Sequence, residues 1–115
     1  MSFLKVWKEN SKMNDKILNL LTLCRKSGRI SMGFDSVKDS ISDEKARLVL
    51  LASDTSPKTE KEVRFFAEKN DTEVRRTHIS IDEISFRLGK RAAVIAVCDD
   101  GFADGLRKLL SDSDV

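Results

Sequence analysis

Hydrophobic positions along this 115-residue chain change period several times, and each change marks an element. Ile17, Leu18, Leu20, Leu21, Leu23 and Cys24 recur at helical spacing, with one wide apolar side. Asn14 is placed to cap that helix, and Arg25 and Lys26 fall in its last turn, where cations suit the negative end of the dipole. Gly28 ends it as a left-handed residue. Residues 1–12 are basic and of weaker period. They read as an N-terminal extension, frayed or continuous with the first helix, ahead of a single domain over residues 13–112.

Arg29 to Met32 reads as a short extended piece, followed by Gly33. A second short helix then starts with Asp35 or Ser36 as cap and Val37 and Ile41 inward. Ala46 to Ala52 is almost unbrokenly apolar, as a strand buried on both faces would be, and such a strand requires helices on both sides of its sheet. Ser56 caps a third helix with Pro57 as its first residue and Val63, Phe66 and Ala67 as its inner stripe. Glu73 to Thr77 is a short strand. Ser80-Ile81-Asp82-Glu83 is a capping box that opens a fourth helix, closed by Gly89. Ala92 to Cys98 is a second fully buried strand. Phe102, Ala103, Leu106, Leu109 and Leu110 line the inner face of a last helix, with Ser111 to Val115 expected to fray. Alternation of this kind is an α/β pattern with one sheet between helices.

Composition narrows the class. No apolar run approaches the roughly 20 residues of a membrane helix, and the N-terminus has no signal-like apolar core. The two cysteines, Cys24 and Cys98, are too few and too far apart for a disulfide framework or a zinc site, which suits a reducing cytoplasm. Net charge is only +2. Its distribution is uneven. Residues 1–30 carry seven Lys/Arg against two Asp/Glu, and residues 63–91 carry seven against five. Residues 31–62 carry five against seven, and residues 92–115 carry two against five. A fold that gathers the positive blocks would have a local basic face despite the near-neutral total.

Candidate chemistry falls into two groups. Asp54, Asp99 and Asp100 each follow a buried strand, and ligands gather beyond strand C-termini in open sheets. They read either as a magnesium cluster for phosphoryl chemistry or, preferably, as helix caps. His78 is the only histidine and has no nucleophile at motif spacing. No phosphate loop or dinucleotide fingerprint occurs. The basic turns are more informative: Arg25-Lys26-Ser27-Gly28-Arg29, Gly33-Phe34-Asp35-Ser36-Val37-Lys38, and Gly89-Lys90-Arg91. The second puts backbone N–H groups at a helix start with a Lys one turn in, which suits a phosphate.

Three of these stretches carry a resemblance. They are Leu21 to Gly33, Leu48 to Ser56, and Leu88-Gly89-Lys90 followed by Val94 to Ala103. In order and spacing they resemble the kink-turn-binding ribosomal-protein superfamily, of the L-seven-Ae and L-thirty-e type, in its bacterial YlxQ-like branch. The resemblance spans about residues 13–110. It implies a three-layer α/β/α sandwich with a mixed four-stranded sheet. It also implies RNA binding through the loop into the second helix and the loop before the last strand. In that superfamily an Asn-Glu pair at the helix start reads sheared G·A pairs, and a Lys one turn later holds phosphate. Here the Asn position is Phe34, the Glu position is Asp35 and the Lys position is Lys38, with Gly33 matching the family glycine. The Phe34 ring has no amide to offer, so this chain departs from strict kink-turn binders and suits structured RNA more generally. Phe34 offers a face on which an unpaired base can stack.

The expected function is therefore non-enzymatic binding of structured RNA, kink-turn-like or ribosomal with ribosomal RNA foremost, by a cytoplasmic, ribosome-associated monomer. Ribosomal proteins are further expected partners, and DNA, membrane, metal and cofactor are not expected. Lys26, Arg29, Gly33, Phe34, Asp35, Lys38, Gly89, Lys90 and Arg91 form the expected contact surface. The alternative is a protein-interaction module of the same fold, which an exposed apolar patch near Phe34 and Phe65 without a continuous basic face would favour. Less favoured is the phosphoryl enzyme built on Asp54, Asp99 and Asp100.

Overall fold

Two strands, Leu48–Leu51 and Val94–Val97, have no side chain that tolerates water on either face, and all eight residues are buried. The computed structural model describes residues 3–113, and the side chains of residues 12–112. Its elements are α1 (Phe3–Lys26), β1 (Ile30–Met32), α2 (Phe34–Ser42), β2 (Leu48–Leu51), α3 (Pro57–Lys69), β3 (Val74–Arg76), α4 (Ile81–Leu88), β4 (Val94–Val97) and α5 (Asp100–Ser113). The sheet has the order β1-β4-β2-β3. β4 runs antiparallel to both β1 and β2, while β2 and β3 are parallel. This is the mixed four-stranded sheet expected.

Alternate residues of the central strands feed two separate cores. Leu48, Leu50, Ile95 and Val97 pack with Ile17, Leu18 and Leu21 of α1, Ile84 and Leu88 of α4, and Ala103, Leu106 and Leu110 of α5. Val49, Leu51, Val94 and Ala96 pack with Val37 and Ile41 of α2 and Val63 and Ala67 of α3. Helices thus cover both faces, giving the three layers. Each fully buried aliphatic side chain contributes about 1.5–3 kcal/mol.

Local signals are honoured at most helix ends. Ser56 accepts from the Thr59 N–H, with Pro57 in the first turn. Ser80 and Glu83 form the capping box, and Gly89 closes α4 in the left-handed conformation. Gly28 follows α1 with φ 71°. Two ends differ from expectation. Asn14 caps nothing: α1 runs back through it to Phe3, because no Gly or Pro interrupts residues 3–13. The Asn14 amide instead donates to the His78 carbonyl at 2.9 Å. α5 continues to Ser113 rather than fraying at Ser111. Residues 1, 2, 114 and 115 lie outside the described residues.

Polar groups inside the fold are satisfied. The buried Thr77 hydroxyl donates to the Leu51 carbonyl at 2.8 Å and accepts from the Ile79 N–H at 3.2 Å, tying the end of β3 to β2. Thr55 Oγ1 donates to the carbonyls of Ala52 and Ala93, tying β2 to the approach to β4. Thr77→Val keeps the shape but leaves the Leu51 carbonyl and the Ile79 N–H without this partner. It is expected to cost about 1–3 kcal/mol, read as a lower urea midpoint at unchanged m-value, with Thr77→Ser losing less.

Cys24 is fully buried, and its thiol donates to the Arg29 carbonyl at 3.2 Å. Burial, and then the negative charge of Asp99, push its pKa from 9.0 up to about 11. Below 9.0 folded and unfolded chains both keep the proton. Between 9.0 and about 11 only the unfolded chain releases it, so stability falls as pH rises. Cys24→Ala is expected to lose less stability than the unaltered protein across that window, measured by denaturant titration at stepped pH.

Candidate functional site

Because β4 runs antiparallel to β2, the segments following these strands sit at opposite ends of the sheet. Leu51 pairs with Val94, and Leu48 pairs with Val97. Asp54, beyond the end of β2, is therefore a strand length from Asp99 and Asp100, beyond the end of β4. The expectation that these acids could assemble a magnesium site is corrected by this topology. Asp54 accepts from the Ile81 N–H at 2.9 Å at the start of α4. Asp99 accepts from the Phe102 N–H at 2.9 Å at the start of α5. Asp100 pairs with Arg47 at 3.4 Å. Among the described residues no His/Cys/Asp/Glu group could hold a metal ion.

The same topology brings Gly33 beside the beginning of β4, where its N–H donates to the Val94 carbonyl at 2.9 Å. Gly33 has φ 96° and ψ 157°, a region essentially confined to glycine. It occupies the N-cap position of α2, whose first bond runs from the Val37 N–H to the Gly33 carbonyl. The expected cap at Asp35 or Ser36 is thus displaced, since both residues already lie inside the helix. No side chain caps α2. The N–H groups of Phe34, Asp35 and Ser36 precede the first intrahelical donor and face outward with partial positive charge.

Next to this helix start, the outer edge of β1 floors a polar hollow of about 370 Å³, lined by Arg25, Ile30, Ser31, Met32, Ser36 and Lys90. β1 is an edge strand, so one row of its backbone groups is unpaired by the sheet. Arg25 comes from the end of α1, Ser36 from the first turn of α2 and Lys90 from the turn after α4. A Cβ on Gly89 would lie 3.8 Å from the Arg25 guanidinium, which places that turn against the end of α1. The ends of the two basic sequence blocks meet here.

Not every expected residue joins them. Gly33, Asp35, Gly89 and Lys90 lie at or beside the hollow. Lys26 and Arg29 are exposed and flank the Gly28 turn, with Arg29 at the opposite end of β1, where its carbonyl accepts from the Cys98 N–H. Arg91 is exposed but pairs with Asp82 at 2.7 Å. Phe34 and Lys38 project to the other side of α2. The Phe34 ring meets Phe66 of α3 edge-on, with centroids 6.5 Å apart, and the Lys38 ammonium lies 4.6 Å from the Phe66 centroid. Arg25 and Ser36 complete the hollow although neither was among the expected contacts. Arg25 stands in the basic turn cluster and is exposed in the last turn of α1.

Charge pairing separates this face from the rest. Of the nine arginines, Arg47, Arg64, Arg75, Arg76, Arg87, Arg91 and Arg107 have acidic partners. Arg25 and Arg29 have none among the described residues. Within the paired set, the Glu73 side chain holds the Arg107 guanidinium above its ordinary pKa.

Residues 15–104 match the Ribosomal protein L7Ae/L30e/S12e/Gadd45 family. The chain belongs to that family. Among curated relatives, the RNA-binding protein YlxQ of Enterococcus faecium is 29% identical, covering 88% of this chain and 97% of its own length. Large ribosomal subunit protein eL30B of Schizosaccharomyces pombe is 30% identical, covering 86% of each chain. A Bacillus halodurans protein of unknown function superposes with TM-score 0.77 at 26% identity, covering 84% of this chain and 97% of the other. The Giardia lamblia 15.5kD RNA binding protein shares the fold, with TM-score 0.70 at 15% identity, covering 90% of this chain and 88% of that one. The family match supports the resemblance drawn from the sequence, and the YlxQ relative supports its YlxQ-like branch.

Gly33 has open space around the position a Cβ would take. Any penalty at that site is therefore backbone strain alone. Gly33→Ala is expected to destabilise the protein by about 1–3 kcal/mol in chemical denaturation, with perturbed amide NMR signals centred on Phe34 to Val37 and on Val94.

Proposed function

We propose that this chain is a non-enzymatic RNA-binding protein that holds structured RNA along the edge of β1, ribosomal RNA foremost. The observation that carries the reading is the convergence of Arg25 and Lys90 on a polar hollow beside the uncapped start of α2. Neither cation has an acidic partner among the described residues. A phosphate in the hollow would meet two exposed cations, the Ser36 hydroxyl and the outward N–H groups of α2. Gly33 lets a backbone or base edge approach the main chain without a Cβ in the way. Asp35, exposed at the same helix start, offers a carboxylate acceptor to a guanine edge. Lys26 and Arg29 extend the positive potential along the rim.

Relatives named RNA-binding protein YlxQ and eL30 support the same reading. Action on the ribosome in the cytoplasm, as a monomer and with no cofactor, belongs to this proposal. No helix among the described residues is long and apolar enough to cross a membrane.

Arg25→Ala combined with Lys90→Ala is expected to weaken binding to structured RNA at least tenfold. It should also make the slope of log K against log salt shallower by about 0.7–0.9 per cation removed. Lys108→Ala, exposed on α5, serves as the control. The measurement is fluorescence anisotropy over a panel of ribosomal RNA internal loops and kink-turn hairpins, with crosslinking and sequencing in cells to name the native RNA. Unchanged affinity of the double variant for every RNA that the unaltered protein binds would falsify the assignment of this surface.

A further inference from the structure

A second surface lies on the other side of α2, and the proposed contact with the β1 edge makes no use of it. Phe34, Phe65 and Phe66 form an aromatic cluster between α2 and α3. Phe66 is the hub: Phe34 meets it edge-on at 6.5 Å and Phe65 at 5.5 Å. The cluster opens into an apolar groove of about 540 Å³ lined by Phe34, Lys38, Lys58, Lys61, Glu62 and Phe65 with Phe66. Phe65 is 58% exposed, among the most exposed large apolar side chains in the described residues. An apolar floor with an exposed ring is costly to leave in water unless something covers it.

The rim indicates what that occupant is. Lys38, Lys58 and Lys61 line the groove against one acid, Glu62. Lys69 stands 5.2 Å from the Phe65 centroid. None of these four lysines has an ion-pair partner among the described residues. Exposed aromatic faces ringed by unpaired cations match the two halves of a nucleotide, a flat π surface and a phosphate. The groove and the β1-edge hollow flank the same helix, α2. Phe34 and Ser36, two residues apart at the helix start, face the groove and the hollow respectively.

We infer that this groove takes unpaired nucleotides of RNA, with a base stacked on Phe65 and phosphates between Lys38, Lys58 and Lys61. The inference rests on the reading of the chain as an RNA binder and adds a second, single-stranded site to it. A strand leaving the hollow past Gly33 would cross the start of α2 at Phe34 to reach Phe65. Stacking is tolerant of base identity, so this site would add affinity for RNAs with unpaired extensions and little sequence preference.

The test uses the full chain and two probes: an oligouridylate, and a kink-turn hairpin with and without an unpaired uridine tail. The oligouridylate is expected to shift the ring signals of Phe34, Phe65 and Phe66 in carbon-resolved NMR. Phe65→Ala, on a solvent-exposed side chain, should lower affinity for the tailed hairpin about tenfold and leave the untailed hairpin unaffected. Lys58→Ala with Lys61→Ala should reduce the salt slope for the tailed hairpin only. Unmoved ring signals together with equal affinity of Phe65→Ala for both hairpins would overturn the inference, while loss of hairpin binding in the Arg25→Ala and Lys90→Ala double variant would leave the β1-edge reading standing. Ring shifts with oligouridylate, but no effect of that double variant, would support the groove and remove the β1-edge reading. Ring shifts with an acidic aromatic peptide and none with RNA would overturn the inference in favour of a protein partner.

Discussion

The sealing of β2 and β4 on both faces constrains everything else in this molecule. Eight consecutive-strand residues without a polar side chain leave no room for chemistry inside the sheet. Functional groups are therefore confined to the strand ends, the sheet edges and the helix surfaces. The direction of β4 then decides which groups meet. Running antiparallel to β1 and β2, it carries Asp99 and Asp100 away from Asp54, and it brings the turn after α4 against the exit of β1. The bond from the Gly33 N–H to the Val94 carbonyl fixes that meeting point. One strand orientation thus disperses the acids into caps and concentrates the basic turns.

Electrostatics sharpens the division. A net charge of +2 gives little long-range attraction for an anion. What matters is which cations remain uncommitted. Most arginines are neutralised locally: Arg76 and Arg64 share Glu60, Arg107 bridges Glu73 and Asp104, and Arg87 reaches Asp15 and Asn19. Such exposed pairs contribute little to stability. Their larger effect is to mute positive potential on the α4–α5 and β3 surfaces. Arg25, Arg29, Lys90 and the lysines around Phe65 and Phe66 keep theirs. Among the described residues, the polar hollow and the aromatic groove are two places where cations without acidic partners coincide with a concave surface.

Signals of short range were legible in the sequence, and signals that depend on another element were not. The Ser80 capping box, the Ser56–Pro57 start and the Gly28 and Gly89 stops are satisfied within one helical turn, so their residues suffice to read them. The double-sided burial of β2 and β4 was equally plain in their composition. Asn14 misled because a good cap residue is also tolerated mid-helix when its amide finds a distant acceptor, here the His78 carbonyl. The start of α2 was hidden because its cap is a glycine with no side-chain signature. Lys38 follows Gly33 by little more than one helical turn in the sequence. Its actual direction depends on Phe66, a residue of α3 whose position no local pattern reveals. Arg25 became a lining residue only once the turn at Gly89 packed against the end of α1.

The shortness of α2 ties these observations together. With nine residues it has fewer than three turns and is pinned at both sides, by Val37 and Ile41 in the core and by the Ser31–Ser40 hydroxyl pair to β1 at 2.6 Å. It cannot rotate to offer one face or the other. Ser36 therefore always faces the hollow, and Phe34 and Lys38 always face the groove. In a helix with 3.6 residues per turn, residues two apart point in nearly opposite directions while four apart share a face. A strand of RNA held at the start of α2, as proposed, would meet both surfaces at a fixed angle. Under the proposed contact, selection between RNAs at this helix would rest on backbone path, where the strand enters and leaves, since neither the Phe34 ring nor the shorter Asp35 carboxylate offers an amide to a base edge.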